Sequence, residues 1–334
     1  MRIALDAMGG DYAPEETVKG AVMAARELNE EIILVGDEPL IEETLNRLGF
    51  EKGKVKGISI YHAPESVGMG ETPVEAIRKK RRSSIWEAMK LLKDEEIDAF
   101  VSAGNTGAVV AGALLGLGRI EGIDRPALGV AIPTLKGRTF LIDVGATVGC
   151  KPRNLYQFAI MGSVYMSTIL GVENPRVGLL TVGEERGKGD EVIKETYEIL
   201  ESSSDINFIG NVEGKDIPFG IADVVVCDGF VGNVMLKFIE GVAEAVYKLL
   251  QEEIGKRLLP RIGILFMLPM LRDLWQEFDY EAYGGTPLLG VNGVIIVAHG
   301  RSKGRAIFNA IKVAREFVLQ KGLEKIKKRL EGGG

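Results

Sequence analysis

Strand after strand in this chain runs into a Gly-rich polar turn that opens a helix. Few folds accommodate that pattern. The clearest case is Ser102-Ala103-Gly104-Asn105-Thr106-Gly107-Ala108, set between the apolar runs 99–101 and 109–115. It recurs at Asp6-Ala7-Met8-Gly9-Gly10-Asp11, Asp143-Val144-Gly145-Ala146, Val182-Gly183-Glu184-Glu185 and Asp228-Gly229-Phe230-Val231-Gly232-Asn233. In an open parallel sheet all such turns lie at the carboxyl edge of the strands, where ligands bind. Glycine lets backbone N–H groups approach a ligand closely, and a helix N-terminus favours negative charge. The turns therefore point to a bound anion, phosphate first.

Short apolar or β-branched runs predict strands at 2–5, 32–36, 57–61, 97–102, 126–132, 138–143, 176–182, 206–210, 221–227 and 293–298. Helical periodicity falls at 15–28, 39–48, 72–93, 105–119, 152–170, 189–201, 231–254 and 302–330. This alternation implies an α/β fold with a mainly parallel sheet covered on both faces. The two strands of 126–143 have only a short connection, which predicts an antiparallel excursion there. The expected organisation is a single α/β domain over 1–334, with a helical protrusion inserted at 240–280. There Pro260 and Pro269 interrupt the pattern.

Composition narrows the function. The chain has 334 residues and 46% hydrophobic content, enough for a large core. It holds 43 glycines, close to twice the usual ~7%. A formal net charge of −6 argues against a general nucleic-acid binder. Cys150 and Cys227 are the only cysteines, too few for a disulfide framework, and predict a reducing cytoplasm. No apolar run is long enough to cross a membrane. Motifs for Walker A, dinucleotide, zinc-protease and nucleophile-elbow sites are absent. No cofactor and no metal is expected.

Each candidate motif has a plainer alternative. Ser102, Gly104, Asn105, Thr106 and Gly107 suit a tetrahedral oxyanion, or simply cap a helix. Asp6, Gly9, Gly10 and Asp11 bind a ligand or make the first turn. Two acids repel phosphate, so Asp6 or Asp11 would orient donors or a neighbouring cation. Lys188, beside Glu184 and Glu185, can neutralise a phosphate or a developing oxyanion, or form a solvated ion pair of little worth. His299 sits at a strand's carboxyl end, as proton donor, phosphate ligand or structural residue. His62 is the weaker histidine. Arg78-Lys79-Lys80-Arg81-Arg82 reads as a solvated helix face or as a dock for an acidic macromolecule. Lys256 and Arg257, followed by the apolar stretch containing Leu265, Phe266 and Leu268, resemble an interfacial membrane anchor. A dimer contact or a packed helical tip would look the same.

Taken together, these motifs resemble the bacterial phosphate acyltransferase family often called PlsX. The matching stretches are DAMGGDYAPE from Asp6, SAGNTGA from Ser102, GRIEGIDRPALG from Gly118, GLLTVGEERGKGDE from Gly178, NFIGNVEGKDI from Asn207, ADVVVCDGFVGNVMLK from Ala222, and YGGTPLLGVNG with AHGRS near the end. They span nearly the whole chain in one order. The resemblance implies a fold like the isocitrate/isopropylmalate dehydrogenase group, with phosphotransacetylase as a cousin. It also implies a homodimer at the cytoplasmic membrane surface, serving phospholipid synthesis. The chain departs from the family at Thr147 and Gly149, where an amide and a carboxylate are usual.

The implied reaction forms acyl phosphate from acyl carrier protein thioester and inorganic phosphate. Phosphate would sit on the Ser102–Ala108 turn, with further donors near Asp228, Gly229 and Asn233. Lys188, Asn233 or His299 would stabilise the carbonyl oxygen. No protein nucleophile is evident. Residues from Phe230 to Leu271 would line the acyl groove, and the tip would deliver product to a membrane glycerol-phosphate acyltransferase. The rivals are a dehydrogenase of the same fold and a non-catalytic membrane scaffold.

Overall fold

The computed structural model describes residues 1–50, 55–256, 266, 267, 270 and 284–331. Among these residues eleven strands form one sheet: β1 Arg2–Asp6, β2 Glu31–Gly36, β3 Ile58–His62, β4 Ala99–Ser102, β5 Ala127–Thr134, β6 Gly137–Ile142, β7 Arg176–Leu180, β8 Asn207–Val212, β9 Val224–Val226, β10 Thr286–Leu289 and β11 Ile295–Val297. Their order is β3-β2-β1-β4-β11-β10-β5-β6-β9-β7-β8. The helices are α1 Glu15–Leu28, α2 Glu38–Arg47, α3 Pro73–Lys79, α4 Ser84–Lys93, α5 Thr106–Gly116, α6 Pro152–Ile169, α7 Glu191–Ser202, α8 Gly229–Lys256, α9 Gly304–Leu319 and α10 Gly322–Glu331. A 3-10 helix covers Gly214–Phe219.

Alternation along the strands feeds two cores. Ile3 and Leu5 join Val18, Phe158 and Ile307 on one face, beneath α1, α6 and α9. Ala4 and Phe100 join Met89 and Val109 on the other, beneath α4 and α5. Both faces are apolar, as expected of a sheet covered on both sides.

The strand directions correct one expectation. β1, β4 and β11 are mutually parallel. β10 is antiparallel to both β11 and β5, and β5 is antiparallel to β6. Three reversals turn the direction over, and β9, β7 and β8 then follow β6 in parallel. The glycine turns therefore do not share one edge. Those after β1, β4 and β11 lie at a first edge, and those after β6, β7 and β9 at the opposite one. The β5–β6 hairpin is the expected antiparallel excursion. β10, an antiparallel strand between β11 and β5, which run the same way, was not anticipated.

Two predicted helices are each divided. The 72–93 pattern breaks into α3 and α4, because Ser83 caps a new helix by accepting the Trp86 N–H at 3.4 Å. The 302–330 pattern breaks at Lys321, where φ is 54°. The basic run 78–82 thus belongs partly to α3 and partly to the turn after it, not to one helical face. Much of the 240–280 protrusion, including Arg257, Leu265 and Leu268, lies outside the described residues. Among the described residues, no helix is long and apolar enough to cross a membrane.

Candidate active site

At the first edge two glycine turns stand back to back on one carboxylate. Asp6 ends β1 and is 1% exposed. Its Oδ2 accepts the Ser102 hydroxyl at 2.8 Å, and its Oδ1 accepts the Met8 N–H at 3.1 Å. Ser102 Oγ in turn accepts the Gly104 N–H at 3.0 Å. Burial pushes the Asp6 carboxyl pKa up, partly offset by the Ser84 and Ser102 hydroxyls and the Met8 and Gly9 amides. Asp6 therefore orients donors, one of the two roles the sequence allowed it.

Glycine is needed for this approach. A Cβ on Gly9 would lie 2.5 Å from Asp6 Oδ2 and 2.7 Å from the Gly104 nitrogen. Gly10 has φ +107°, and the next N–H, on Asp11, donates to the Gly300 carbonyl at 2.8 Å. That bond ties the first turn to the loop after β11.

Asn105 is the N-cap of α5, accepting the Ala108 N–H at 3.1 Å. Its amide donates to the carbonyls of Met69 and Glu71 at 3.1 and 3.0 Å, and to Gly68 at 3.4 Å. The side chains of Ser102 and Asn105 are thus committed to the scaffold. Left without an acceptor inside the helix are the N–H groups of Thr106 and Gly107, in the first turn that Asn105 caps. The 68–71 loop, joined to the turn by Asn105, was missed from sequence. Its Gly-Met-Gly run carries no recognisable site motif.

His299 follows β11 at the same edge. Burial lowers its pKa below the ordinary value, and the Lys237 charge adds to that, with Glu240 and Asp11 opposing. Nδ1 accepts the Arg301 N–H at 3.1 Å, so the neutral ring carries its proton on Nε2. The influence of Lys237 and Glu240 also brings α8, which starts at the far edge, past His299.

The second edge holds the remaining candidates. Asp143, fully buried, accepts N–H groups from Leu128, Gly145, Ala146 and Thr147 at 2.7–3.1 Å. Thr147 donates its hydroxyl to the Pro126 carbonyl at 2.9 Å, a scaffold role at one of the two divergent positions. Asp228 accepts the Cys150 and Phe230 amides at 2.8 Å each. Burial pushes the Asp228 pKa up, but those amides outweigh it and leave it lowered. Gly229 begins α8, and Asn233 sits beside Gly145, 3.6 Å from where a Cβ would be.

Lys188, in the loop after β7, approaches Glu185 at 3.8 Å with 51% of its side chain exposed. Glu184, Glu213 and Asp216 bring carboxylate oxygens within 4.8 Å of one another. Lys215 bridges Glu213 and Glu184 at 2.5 and 3.7 Å. The surface candidates are partly neutralised. Lys79 pairs with Glu75 at 3.4 Å and Lys80 with Glu71 at 2.6 Å, while Arg81 stacks 3.9 Å over the Trp86 ring. Lys256 pairs with Glu253 at 2.6 Å. Phe266 is 83% exposed.

Neither cysteine is poised to attack. Burial pushes the Cys150 thiol up to about 12, with Asp228 contributing. Burial also raises Cys227 well above its ordinary value.

Asp143 makes stability depend on pH. Burial raises its carboxyl from 3.8 to about 6, so the folded state binds the extra proton between those values. This contribution is complete below 3.8 and is lost as pH rises through about 6. The melting-temperature gap between wild type and Asp143→Asn should therefore shrink from pH ~4 to pH ~7. A gap independent of pH would contradict this placement of Asp143.

The chain has extensive relatives. A family model described as fatty acid synthesis protein matches residues 1–325. The phosphate acyltransferase of Thermoanaerobacter pseudethanolicus is 49% identical over 335 residues, covering 100% of this chain and 98% of the relative. That of Pelotomaculum thermopropionicum is 51% identical over 331 residues, covering 99% and 95%. Among solved structures, a phosphotransacetylase from Streptococcus pyogenes aligns with TM-score 0.64 at 19% identity, covering 96% and 94%. A 4-hydroxythreonine-4-phosphate dehydrogenase from Klebsiella pneumoniae aligns with TM-score 0.54 at 14% identity, covering 95% and 99%. The structural likenesses establish the fold that the sequence resemblance implied. Matched along nearly its whole length by sequences about half identical to it, the chain belongs to the phosphate acyltransferase family.

Proposed function

We propose that this acyltransferase forms acyl phosphate from acyl carrier protein thioester and inorganic phosphate, for phospholipid synthesis. The observation that carries the reading is the pair of glycine turns on Asp6, in a chain of this family. The N–H groups that open α5 would serve as the anion seat, on a turn fixed by the Ser102 bonds to Asp6 and Gly104. One phosphate oxygen attacks the thioester carbon. The new C–O bond forms as the C–S bond breaks, and the thiolate leaves with the bonding pair. The Nε2–H of His299 lies at the same edge and serves the developing oxyanion or the leaving sulfur. Raised thiol pKa values at Cys150 and Cys227 favour direct attack over an acyl-enzyme.

Lys188, Glu184, Asp228, Gly229 and Asn233 belong to the opposite edge. On this reading they serve the acyl donor, with α8 running from them toward His299. Val234, Phe238, Val242 and Val246 are 44–70% exposed along α8. A second copy would cover that stripe in a homodimer. Phe266 fits contact with the cytoplasmic face of a membrane, where a glycerol-phosphate acyltransferase would take the product. The dehydrogenase reading shares only the fold, and full-length identity to phosphate acyltransferases favours acyl transfer.

Release of free thiol from palmitoyl-acyl carrier protein tests the reading, and it should require phosphate. Lys188→Ala should lower it by about tenfold, less than the loss of an enclosed donor because half of Lys188 is in water. Phosphate-independent release, or none from folded protein, would reject acyl transfer to phosphate. An unaffected Lys188→Ala variant would remove only that residue's role.

A further inference from the structure

Charge in this chain is segregated. Residues 301–331 carry ten cationic side chains against three acidic ones, a net +7 within a chain of net −6. Among the described residues only Arg315 of these ten forms an ion pair, with Glu30 at 2.8 Å. Four of the nine without an ion pair lie on α10, where Lys325, Lys328 and Arg329 are exposed and Lys327 is half-buried, and Arg329 donates to the Asp205 carbonyl. Ile326 is 1% exposed and, with the partly buried Leu323 and Leu330, anchors the helix to the core. The charged face is therefore held in place by packing.

The surface beside α10 is recessed on both flanks. A cavity of about 820 Å³ is lined by Arg119 and Arg153 together with Lys327. Arg153 is fixed by Asp124 at 3.2 Å, and Arg119 donates to the Asp124 carbonyl. A second cavity of about 390 Å³ is lined by Lys325, Lys328 and Arg329, with Ser163 and Ser167 on its α6 wall. Glu121, Glu331, Glu173 and Asp205 also line these recesses and set limits to the positive field. The same C-terminal segment begins at the candidate site, where Arg301 donates to His299.

We infer that α10 and its two flanking recesses form the docking face for an acidic protein partner. On the reading above, that partner is the acyl carrier protein. Charge complementarity selects this face over the two basic segments conspicuous in the sequence. Two of the five cations at 78–82, Lys79 and Lys80, pair with Glu75 and Glu71, and Lys256 pairs with Glu253, whereas among the described residues none of the four cations of α10 pairs with a carboxylate. An unneutralised patch steers and orients an oppositely charged protein, with an effect that fades as salt screens it.

Anisotropy of fluorescently labelled apo-acyl carrier protein, titrated with the full chain, measures docking without catalysis. Lys325→Glu with Lys328→Glu and Arg329→Glu should weaken binding at least about tenfold and flatten its salt dependence. The milder Lys325→Gln with Lys328→Gln and Arg329→Gln should weaken it less, in the same direction, with an unchanged melting temperature. Binding unaltered by both triple variants, or weakened only by Arg78→Glu with Lys79→Glu, would overturn the assignment. Phosphate-dependent turnover of a small acyl-pantetheine thioester, which needs no dock, should be equal in wild type and the α10 variants. Its absence in wild type would count against the reaction and leave the binding result to decide the dock. A drop in that turnover confined to the α10 variants would also contradict a docking role.

Discussion

Gly9→Ala is expected to lower phosphate-dependent thiol release on the order of a hundredfold while the protein stays folded. The added methyl would stand 2.5 Å from Asp6 Oδ2 and 2.7 Å from the Gly104 nitrogen, inside any real contact distance. Neither neighbour can yield alone. Asp6 is held by Ser102 and Met8, and Gly104 by Ser102. The turn that opens α5 must move, and a shift of about 1 Å in a positioning group is enough for a loss of this size. The overpacking itself costs about 1–3 kcal/mol, which a large chain survives. Kinetics at varied phosphate, with a melting curve for each protein, checks both parts. Turnover within about threefold of wild type would show that phosphate sits elsewhere.

Gly232→Ala should act on stability. In the first turn of α8 a Cβ at position 232 would lie 1.9 Å from the Asp143 carbonyl oxygen and 2.8 Å from Cys227 Sγ. The first of these atoms is backbone in a buried loop, so α8 itself has to lift away. The cost should reach or exceed the ~3 kcal/mol upper end of ordinary overpacking, lowering the melting temperature by about 5 °C or more. Gly241 on the same helix has nothing within 4 Å of its Cβ position. Gly241→Ala should be neutral or stabilising, since alanine is the better helix former by roughly 1 kcal/mol. Equal melting temperatures for the two variants would contradict the tight seating of α8 on the 143–147 loop.

Much of the fold was legible because periodicity and punctuation agreed. The 15–28 pattern coincides with α1, and 152–170 differs from α6 by one residue at its end. β10 was not legible. Thr286-Pro287-Leu288-Leu289 follows two glycines and contains a proline, so it reads as loop. In the sheet those four residues lie between β11 and β5, and Pro287 pairs with Ile296. Being antiparallel to both neighbours, β10 leaves β11 and β5 running the same way; the net reversal comes from the β5–β6 hairpin, whose consequence for the later turns the alternating pattern concealed.

At the candidate site, sequence marked the glycine turns but not which of their atoms the fold leaves available. Ser102 and Asn105 advertise a hydroxyl and an amide. Only the folded chain shows both directed at Asp6 and at the 68–71 carbonyls. Asp143 stood inside one of the glycine turns, yet its burial beneath four N–H donors was not legible. Three of those donors are local, at 145–147, but the fourth, Leu128, is brought in by β5 from fifteen residues earlier. The basic residues at 78–82 show the converse. They are conspicuous in sequence because they are contiguous, yet Glu71 and Glu75 neutralise two of them. The cations of α10 are interspersed with apolar residues and drew no attention.

The most direct test of acyl transfer to phosphate is ³¹P NMR of inorganic phosphate incubated with the protein and palmitoyl-acyl carrier protein. An acyl phosphate signal should grow in step with free thiol, and hydroxylamine should discharge it. Thiol release with the phosphate signal unchanged would make the protein a thioesterase under these conditions and contradict the proposed acceptor.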